Sequence, residues 1–179
     1  MEVLDSFNLS LNHGVDLLSF TGGSQTGRTI MGAAAGNLKR VALELGGKNP
    51  HIIFADADLD VAVDYALNAV FFHAGQICSA GAKLLVESPI HDAFVVALSA
   101  RMKAINVGNG ADPDTRMGPL ISAAHRQKVE DHVALALSEG ATLAVGGARP
   151  DDPALANGFF YLPTLLTGCT PEMTISREE

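Results

Sequence analysis

The strongest constraint on the fold of this chain is the alternation of short apolar runs with segments of helical periodicity. Five runs bounded by turn residues are predicted strands, at residues 15–20, 39–45, 50–54, 82–87 and 141–147. Apolar residues recur at helical spacing over residues 59–70, 90–105 and 129–137, which predicts amphipathic helices. Because strands joined by helices need crossover connections, we expect an α/β fold, a three-layer arrangement with a largely parallel sheet and helices on both faces.

Two residues predict the bounds of the third helix. Ser122 precedes its first turn as an N-cap, and Gly140 follows its last residues as a stop signal. Residues 108–121 and 146–158 contain Gly and Pro without periodicity, and we expect them to be long surface loops.

The composition excludes several classes of partner. Only 12 Lys and Arg oppose 20 Asp and Glu, for a net charge of −8, which argues against nucleic acid or an anionic membrane as partner. The start of the chain lacks the pattern of a secretory signal, and two cysteines without such a signal are more consistent with free thiols than with a disulfide. We expect a cytoplasmic protein that acts on a small molecule.

An acidic stretch around residues 56–64 raises the question of a cation site. Asp56, Asp58, Asp60 and Asp64 lie where a helix is predicted to begin, and acidic side chains favour the positive end of a helix dipole. We therefore expect a helix start there and no metal site.

The glycine-rich segment at residues 20–36 is the first candidate site. Gly22, Gly23 and Gly27 lie between a predicted strand and a helical pattern, where backbone N–H groups and the helix N-terminus favour a pyrophosphate. Their spacing differs from the G-x-G-x-x-G fingerprint, so an ordinary tight turn is an equally good interpretation of this segment alone.

Cys78 is the second candidate. Its neighbours Ser79, Ala80 and Gly81 are small and leave room for a substrate beside the sulfur, as a nucleophile requires. Judged by itself, a cysteine in this position is more often an inert core residue.

Glu44 is the third candidate, since it interrupts an apolar strand and precedes Gly46 and Gly47. A carboxylate in apolar surroundings is costly to charge, which suits a general base. An edge-strand glutamate that faces water is an interpretation of comparable weight.

The three segments together resemble the aldehyde dehydrogenase family. The family's signatures are an FTG strand-turn-helix motif, an LELGGK motif with the base and a GQxC motif with the nucleophile, and here they occur in that order with Cys78 34 residues after Glu44. Residues 177–179 match the start of its E-x-F-G-P motif. Around the cysteine and in the segments that follow, the chain looks most like the betaine aldehyde dehydrogenases.

The resemblance implies a role for each site residue. Cys78 attacks the aldehyde and Glu44 activates water. The cofactor, NAD or NADP, lies with its pyrophosphate near Gly22, Gly23, Ser24 and Gly27, with its nicotinamide beside Leu45 and Gly46, and with the nicotinamide ribose at Glu179. The family commonly has Ser directly after FTG, whereas this chain has Gly23 there and Ser24 one place later. Residues 1–45 correspond to the end of the dinucleotide-binding domain and residues 46–179 to the first part of the catalytic domain.

Full-length family members are longer, so the resemblance also implies that the chain is a fragment, and the family's oxyanion asparagine has no counterpart in it. Three hypotheses follow: an active, homo-oligomeric dehydrogenase, an inactive fragment that self-associates, and a residual thiol-dependent esterase. His73 lies close to Cys78 in sequence, and a local capping or packing role is more plausible for it than a catalytic dyad.

Overall fold

The computed structural model describes residues 8–178, and the chain divides into two compact units, Met1–Gly47 and Lys48–Glu179. Each unit is built around a pair of parallel strands. Within residues 8–178, no helix combines the length and the apolar character that crossing a membrane requires.

The first unit consists of two strands and the helix that connects them. Strand β1 (Leu17–Gly22) leads into helix α1 (Ser24–Ala34), and after a short 3-10 turn (Ala35–Asn37) the chain returns as strand β2 (Arg40–Leu45). The strands pair in parallel from Leu17 opposite Arg40 to Gly22 opposite Leu45. Such a crossover is what a parallel pair requires, and it was expected from the alternating pattern.

Lys39, which directly precedes β2, binds the helical turn at residues 8–11 and the residue after it. Residues 8–11 are helical, and the Lys39 ammonium donates to the carbonyl oxygens of Leu9 at 3.2 Å and Asn12 at 2.7 Å. The residue is only 8% exposed. A cation at the end of a helical turn satisfies carbonyls that have no partner within the turn, and it opposes their partial negative charge.

The second unit contains the remaining strands and helices. In chain order they are β3 (Pro50–Ile53), α2 (Leu59–Phe71), β4 (Lys83–Val86), α3 (His91–Lys103), α4 (Ala123–Ser138), β5 (Thr142–Val145), β6 (Leu165–Thr167) and α5 (Thr174–Arg177). Short 3-10 turns occupy Phe72–Gly75, Ser88–Ile90 and Pro153–Leu155. Strands β3 and β4 pair in parallel, whereas β5 and β6 are antiparallel with an irregularity between Leu143 and Val145.

The core of the second unit lies between helices α2 and α3 and strand β3. It is formed by the buried side chains of Ile53, Val63, Ala66, Phe94, Leu98 and Met102. Arg101 reinforces the same helix pair, because its guanidinium donates to Asp64 and, at 2.9 Å, to Asp60.

These contacts account for the acidic stretch. Asp58 is the N-cap of α2 and accepts from the Val61 N–H at 3.1 Å, while Asp60 and Asp64 pair with Arg101. Among residues 8–178, no group of three His, Cys, Asp or Glu side chains is placed to hold a metal ion.

The sequence-based expectations for the elements hold closely. All five predicted strands are present within a few residues of their expected bounds, and so are the three predicted helices. Strand β6 was not predicted, because its three residues carry too short a pattern, and its antiparallel pairing with β5 departs from the parallel arrangement. The Ser122 hydroxyl accepts from the His125 N–H at 3.1 Å, and Gly140 ends the helix segment with φ of +107°.

The N-cap hydrogen bond of α4 can be tested by substitution of Ser122. We expect Ser122→Ala to lower the free energy of unfolding by about 1 kcal/mol, since the His125 N–H loses its acceptor. Urea denaturation followed by circular dichroism measures the change. Ser138→Ala is the control at the other end of the helix, and equal losses in the two variants would contradict a specific capping role.

Two glycines of α1 give a second test. A Cβ at Gly32 would meet nothing within 4 Å, whereas one at Gly27 would lie 2.9 Å from Leu45 Cδ2. We expect Gly32→Ala to stabilise the chain by about 0.5–1 kcal/mol through the unfolded state. Gly27→Ala should be at least ~1 kcal/mol less favourable than Gly32→Ala, because Leu45 must move. Equal stabilities in urea denaturation would contradict close packing of α1 on β2.

Candidate functional site

The carboxyl end of the β1–β2 pair collects most of the predicted cofactor residues. The parallel register places Thr21 beside Glu44 and Gly22 beside Leu45. Gly46 follows β2 directly. In open α/β sheets, ligands bind at the carboxyl ends of parallel strands, where the following helix begins. The pairing therefore brings residues 21 and 22 together with residues 44 and 45, which are distant in sequence.

Gly23 alone separates β1 from α1. It is the N-cap of the helix, with φ −75° and ψ 149°, and neither a capping side chain nor an acidic residue occupies the first turn. A Cβ on Gly23 would meet nothing within 4 Å. The helix N-terminus thus opens onto unfilled space within this unit, and Ser24, the first helical residue, is half-buried.

Gly27 has a packing role as well as a place in the predicted site. It is buried, and its N–H donates to the Gly23 carbonyl at 3.1 Å. A Cβ at this position would lie only 2.9 Å from Leu45 Cδ2, so glycine lets α1 lie closer to the end of β2 than a larger residue could. The predicted cofactor residues Gly27 and Leu45 therefore lie close together in the first unit.

Glu44 lies on the exposed face of β2. Alternate residues of the strand are exposed and half-buried, and Glu44 shares the exposed face with Arg40 and Ala42. The first unit therefore agrees with the second interpretation given above, a glutamate that faces water, and not with apolar surroundings. A run of apolar letters left both interpretations open, because a strand sends neighbouring side chains to opposite faces.

Cys78 lies on an exposed turn of the second unit, between the 3-10 segment Phe72–Gly75 and β4. The Ala80 N–H donates to the Ile77 carbonyl at 3.0 Å and closes this turn. The side-chain amide of Asn49 donates to the Cys78 carbonyl at 2.6 Å. Since the cysteine is exposed and its neighbours are small, the interpretation as an inert core residue is wrong.

The backbone before Cys78 adopts an uncommon conformation. His73, Ala74 and Gly75 are all left-handed, with φ of 49°, 56° and 77°. The Gln76 side chain holds this segment, since its amide donates to the His73 carbonyl at 3.1 Å and its oxygen accepts from the Ile121 N–H at 2.9 Å. The His73 ring contacts Phe72 with 4.2 Å between ring centres, in keeping with a local packing role.

Asn49 and Gln76 are the site residues that the sequence analysis did not single out. Gln76 stands inside the GQxC motif and Asn49 directly follows the LELGGK motif. Motif membership was the available signal, but only the folded contacts show what each amide binds.

The C-terminal segment is also held in place. The Glu139 carboxylate accepts from the N–H and the hydroxyl of Thr174, at 2.9 and 2.7 Å, and the Lys83 ammonium donates to the Ser176 carbonyl at 3.2 Å. These contacts fix α5 just before the predicted ribose-binding carboxylate, Glu179, which lies outside the described residues.

The surroundings of Cys169 shift the pKa of its thiol. Partial burial of the thiol raises the pKa of Cys169, and the nearby Lys48 ammonium offsets only part of that effect. A raised pKa leaves little thiolate at neutral pH, so this cysteine is a poor nucleophile.

Comparison with known proteins connects these features. A profile described as "Aldehyde dehydrogenase family" matches residues 7–179. The betaine aldehyde dehydrogenase of Bacillus subtilis is 61% identical over 171 residues, which is 96% of this chain and 35% of that protein. The betaine aldehyde dehydrogenase of Mesorhizobium japonicum is 44% identical over 162 residues, covering 90% of this chain and 33% of that protein. The chain thus spans about a third of the length of these relatives.

Solved structures of a betaine aldehyde dehydrogenase from Staphylococcus aureus in complex with NAD+ have the same fold. One is 55% identical with a TM-score of 0.94 and covers 95% of this chain and 34% of that chain. Another is 54% identical with a TM-score of 0.95 and covers 97% and 34%. The α/β class predicted from the sequence is confirmed by this likeness. With the family profile matched over nearly its whole length, the chain belongs to the aldehyde dehydrogenase family.

Proposed function

We propose that this chain supplies the nucleophile, the base and part of the cofactor site of an NAD-dependent dehydrogenase that oxidises betaine aldehyde to glycine betaine. The observation that carries the proposal is Cys78 on an exposed, anchored turn inside the family's GQxC motif. The substrate and cofactor are inferred from the names of the relatives and from the NAD+ in the S. aureus structures.

The first unit fits the cofactor. The open space at Gly23 and the uncapped N-terminus of α1 suit a pyrophosphate, which backbone N–H groups and the helix dipole stabilise. Gly22, Gly23, Ser24 and Gly27 would surround the phosphates, and Leu45 and Gly46 would lie beside the nicotinamide. Bound NAD would accept the hydride that leaves the substrate carbon. Glu179 is proposed to bind the nicotinamide ribose.

Cys78 forms and later releases the covalent intermediate. Its thiolate attacks the aldehyde carbon, and the resulting thiohemiacetal becomes a thioester once hydride has left that carbon. The backbone N–H of Cys78 is the proposed donor to the developing oxyanion. The small side chains of Ser79 and Ala80 leave the approach to the sulfur open.

Glu44 acts on water in the second half of the reaction. Its carboxylate takes a proton from a water molecule, the hydroxide formed attacks the thioester, and the carboxylic acid leaves as the Cys78 thiolate is restored. Because Glu44 is exposed on the face of β2, water reaches it without a conformational change in the first unit.

Cys78→Ala tests the nucleophile. We expect it to abolish NADH formation from betaine aldehyde and NAD, and also any hydrolysis of a nitrophenyl ester, because both pass through the thiol. NADH fluorescence and nitrophenol absorbance measure the two activities. Cys169→Ala is the matched control and should retain both.

The two assays also separate the alternatives for this site. Ester hydrolysis without NADH formation would favour the residual esterase, and full activity in Cys78→Ala would contradict the assignment of the nucleophile.

Glu44→Gln tests the base. Because the thioester still forms but water is no longer activated, we expect a burst of NADH followed by a steady-state rate lower by about 10²–10⁴-fold. Stopped-flow fluorescence resolves the two phases. Glu172→Gln changes an exposed carboxylate outside the proposed site and should keep the wild-type rate. A normal steady state in Glu44→Gln would remove Glu44 from the mechanism.

A further inference from the structure

Asn49 binds the segment that carries Cys78 at two points, one within the turn and one at the start of β4. Its side-chain amide donates to the Cys78 carbonyl at 2.6 Å, and its backbone carbonyl accepts from the Lys83 N–H at 3.3 Å. Lys83 is the first residue of β4, and Asn49 directly precedes β3. The parallel register, with Pro50 opposite Lys83, brings Asn49 to this place.

The rest of the segment is anchored at other points. The Gly81 N–H donates to the Ala69 carbonyl at 3.2 Å, so the end of the turn is attached to α2. A Cβ on Gly81 would lie 3.3 Å from the Cβ of His51, so β3 packs closely against the end of this turn. Before the turn, Gln76 is attached to the backbone of Ile121. Asn49 acts between these anchors, at the peptide group of Cys78 itself.

The conformation of the residues before the Cys78 turn shows why hydrogen bonds are needed to hold it. His73 and Ala74 have side chains and yet adopt the left-handed region, which costs on the order of 1 kcal/mol or more each and persists only where surrounding contacts impose it. An exposed turn that follows two strained residues would otherwise relax into several conformations.

We propose that Asn49 is a positioning residue for the reaction of Cys78. The inference rests on the proposed function for its catalytic consequence. By accepting the amide hydrogen bond, the Cys78 carbonyl fixes the peptide plane that follows the cysteine. A fixed peptide plane restricts the orientation of the Cα–Cβ bond and therefore the position of Sγ. A small misplacement of a reacting atom can cost up to ~10²-fold in rate, so a single hydrogen bond at this point controls the approach of the sulfur to the aldehyde carbon.

Two substitutions separate the hydrogen bond from the shape of the side chain. Asn49→Ala removes the amide, and Asn49→Asp keeps the size of the side chain but removes its donor. Asn106→Ala is the matched control, because Asn106 also donates from its amide to a backbone carbonyl, that of Asp114 at 3.1 Å, in another loop of the same unit. All are made in a Cys169→Ser background, so that Cys78 alone carries a label.

The first readout does not depend on activity. A trifluoromethyl ketone reagent attached to Cys78 should give one narrow ¹⁹F resonance in the parent chain, distinct from that of the labelled free thiol. In both Asn49 variants we expect that resonance to broaden or split and to shift towards the chemical shift of the labelled free thiol. In Asn106→Ala we expect it to stay unchanged. An unchanged line in Asn49→Asp, or the same broadening in Asn106→Ala, would overturn the proposal.

The second readout measures the chemical consequence. In the Asn49 variants we expect kcat for NADH formation to fall by about 10- to 100-fold while KM changes much less, since binding is retained and alignment is lost. A rise in KM with kcat unchanged would overturn the positioning role, because it would show a loss of binding and not of alignment. If the unsubstituted chain forms no NADH, dehydrogenase activity of this chain by itself is ruled out, but the ¹⁹F comparison still decides whether Asn49 positions Cys78.

Discussion

The parallel pairing of strands brings together most of the proposed site residues described above. In the first unit, the register of β1 with β2 puts Glu44 and Leu45 next to Thr21 and Gly22. In the second unit, the register of β3 with β4 puts Asn49 next to the turn that precedes Lys83. Parallel strands require crossover helices, and it is these helices, α1 and α2, that supply the helix N-terminus and the support for the Cys78 turn.

In both units an exposed candidate residue, Glu44 or Cys78, lies next to packed strands and helices. The core around Val63 and Phe94 holds α2 and α3 together, and the strained backbone before Cys78 emerges from the end of α2. A hydrogen bond such as that from Asn49 contributes only about 0.5–1.5 kcal/mol to stability. Its value lies in orientation, because a nucleophile on a mobile turn would spend little time aligned with its substrate.

The elements of the fold were largely predictable because their patterns are local. Helix α4 is the plainest example, since Ser122 and Gly140 are cap signals that act within one or two turns of the helix. Strand β6 was not predictable, because Leu165–Thr167 is too short to show a period and depends on its partner β5. The surroundings of Glu44 were left open by the sequence for a related reason: the composition of a run does not reveal which face each residue takes.

By itself, the sequence determined the α/β class, the family to which the chain belongs and Cys78 and Glu44 as candidate reactive residues, because motifs and periodicity are written in neighbouring residues. Tertiary structure alone decided that Cys78 is exposed, that Glu44 faces outward on its strand, and that Asn49 and Gln76 hold the backbone around the cysteine. Asn49 and Cys78 stand 29 residues apart. Contacts over such separations depend on strand register and helix packing, which no local pattern specifies.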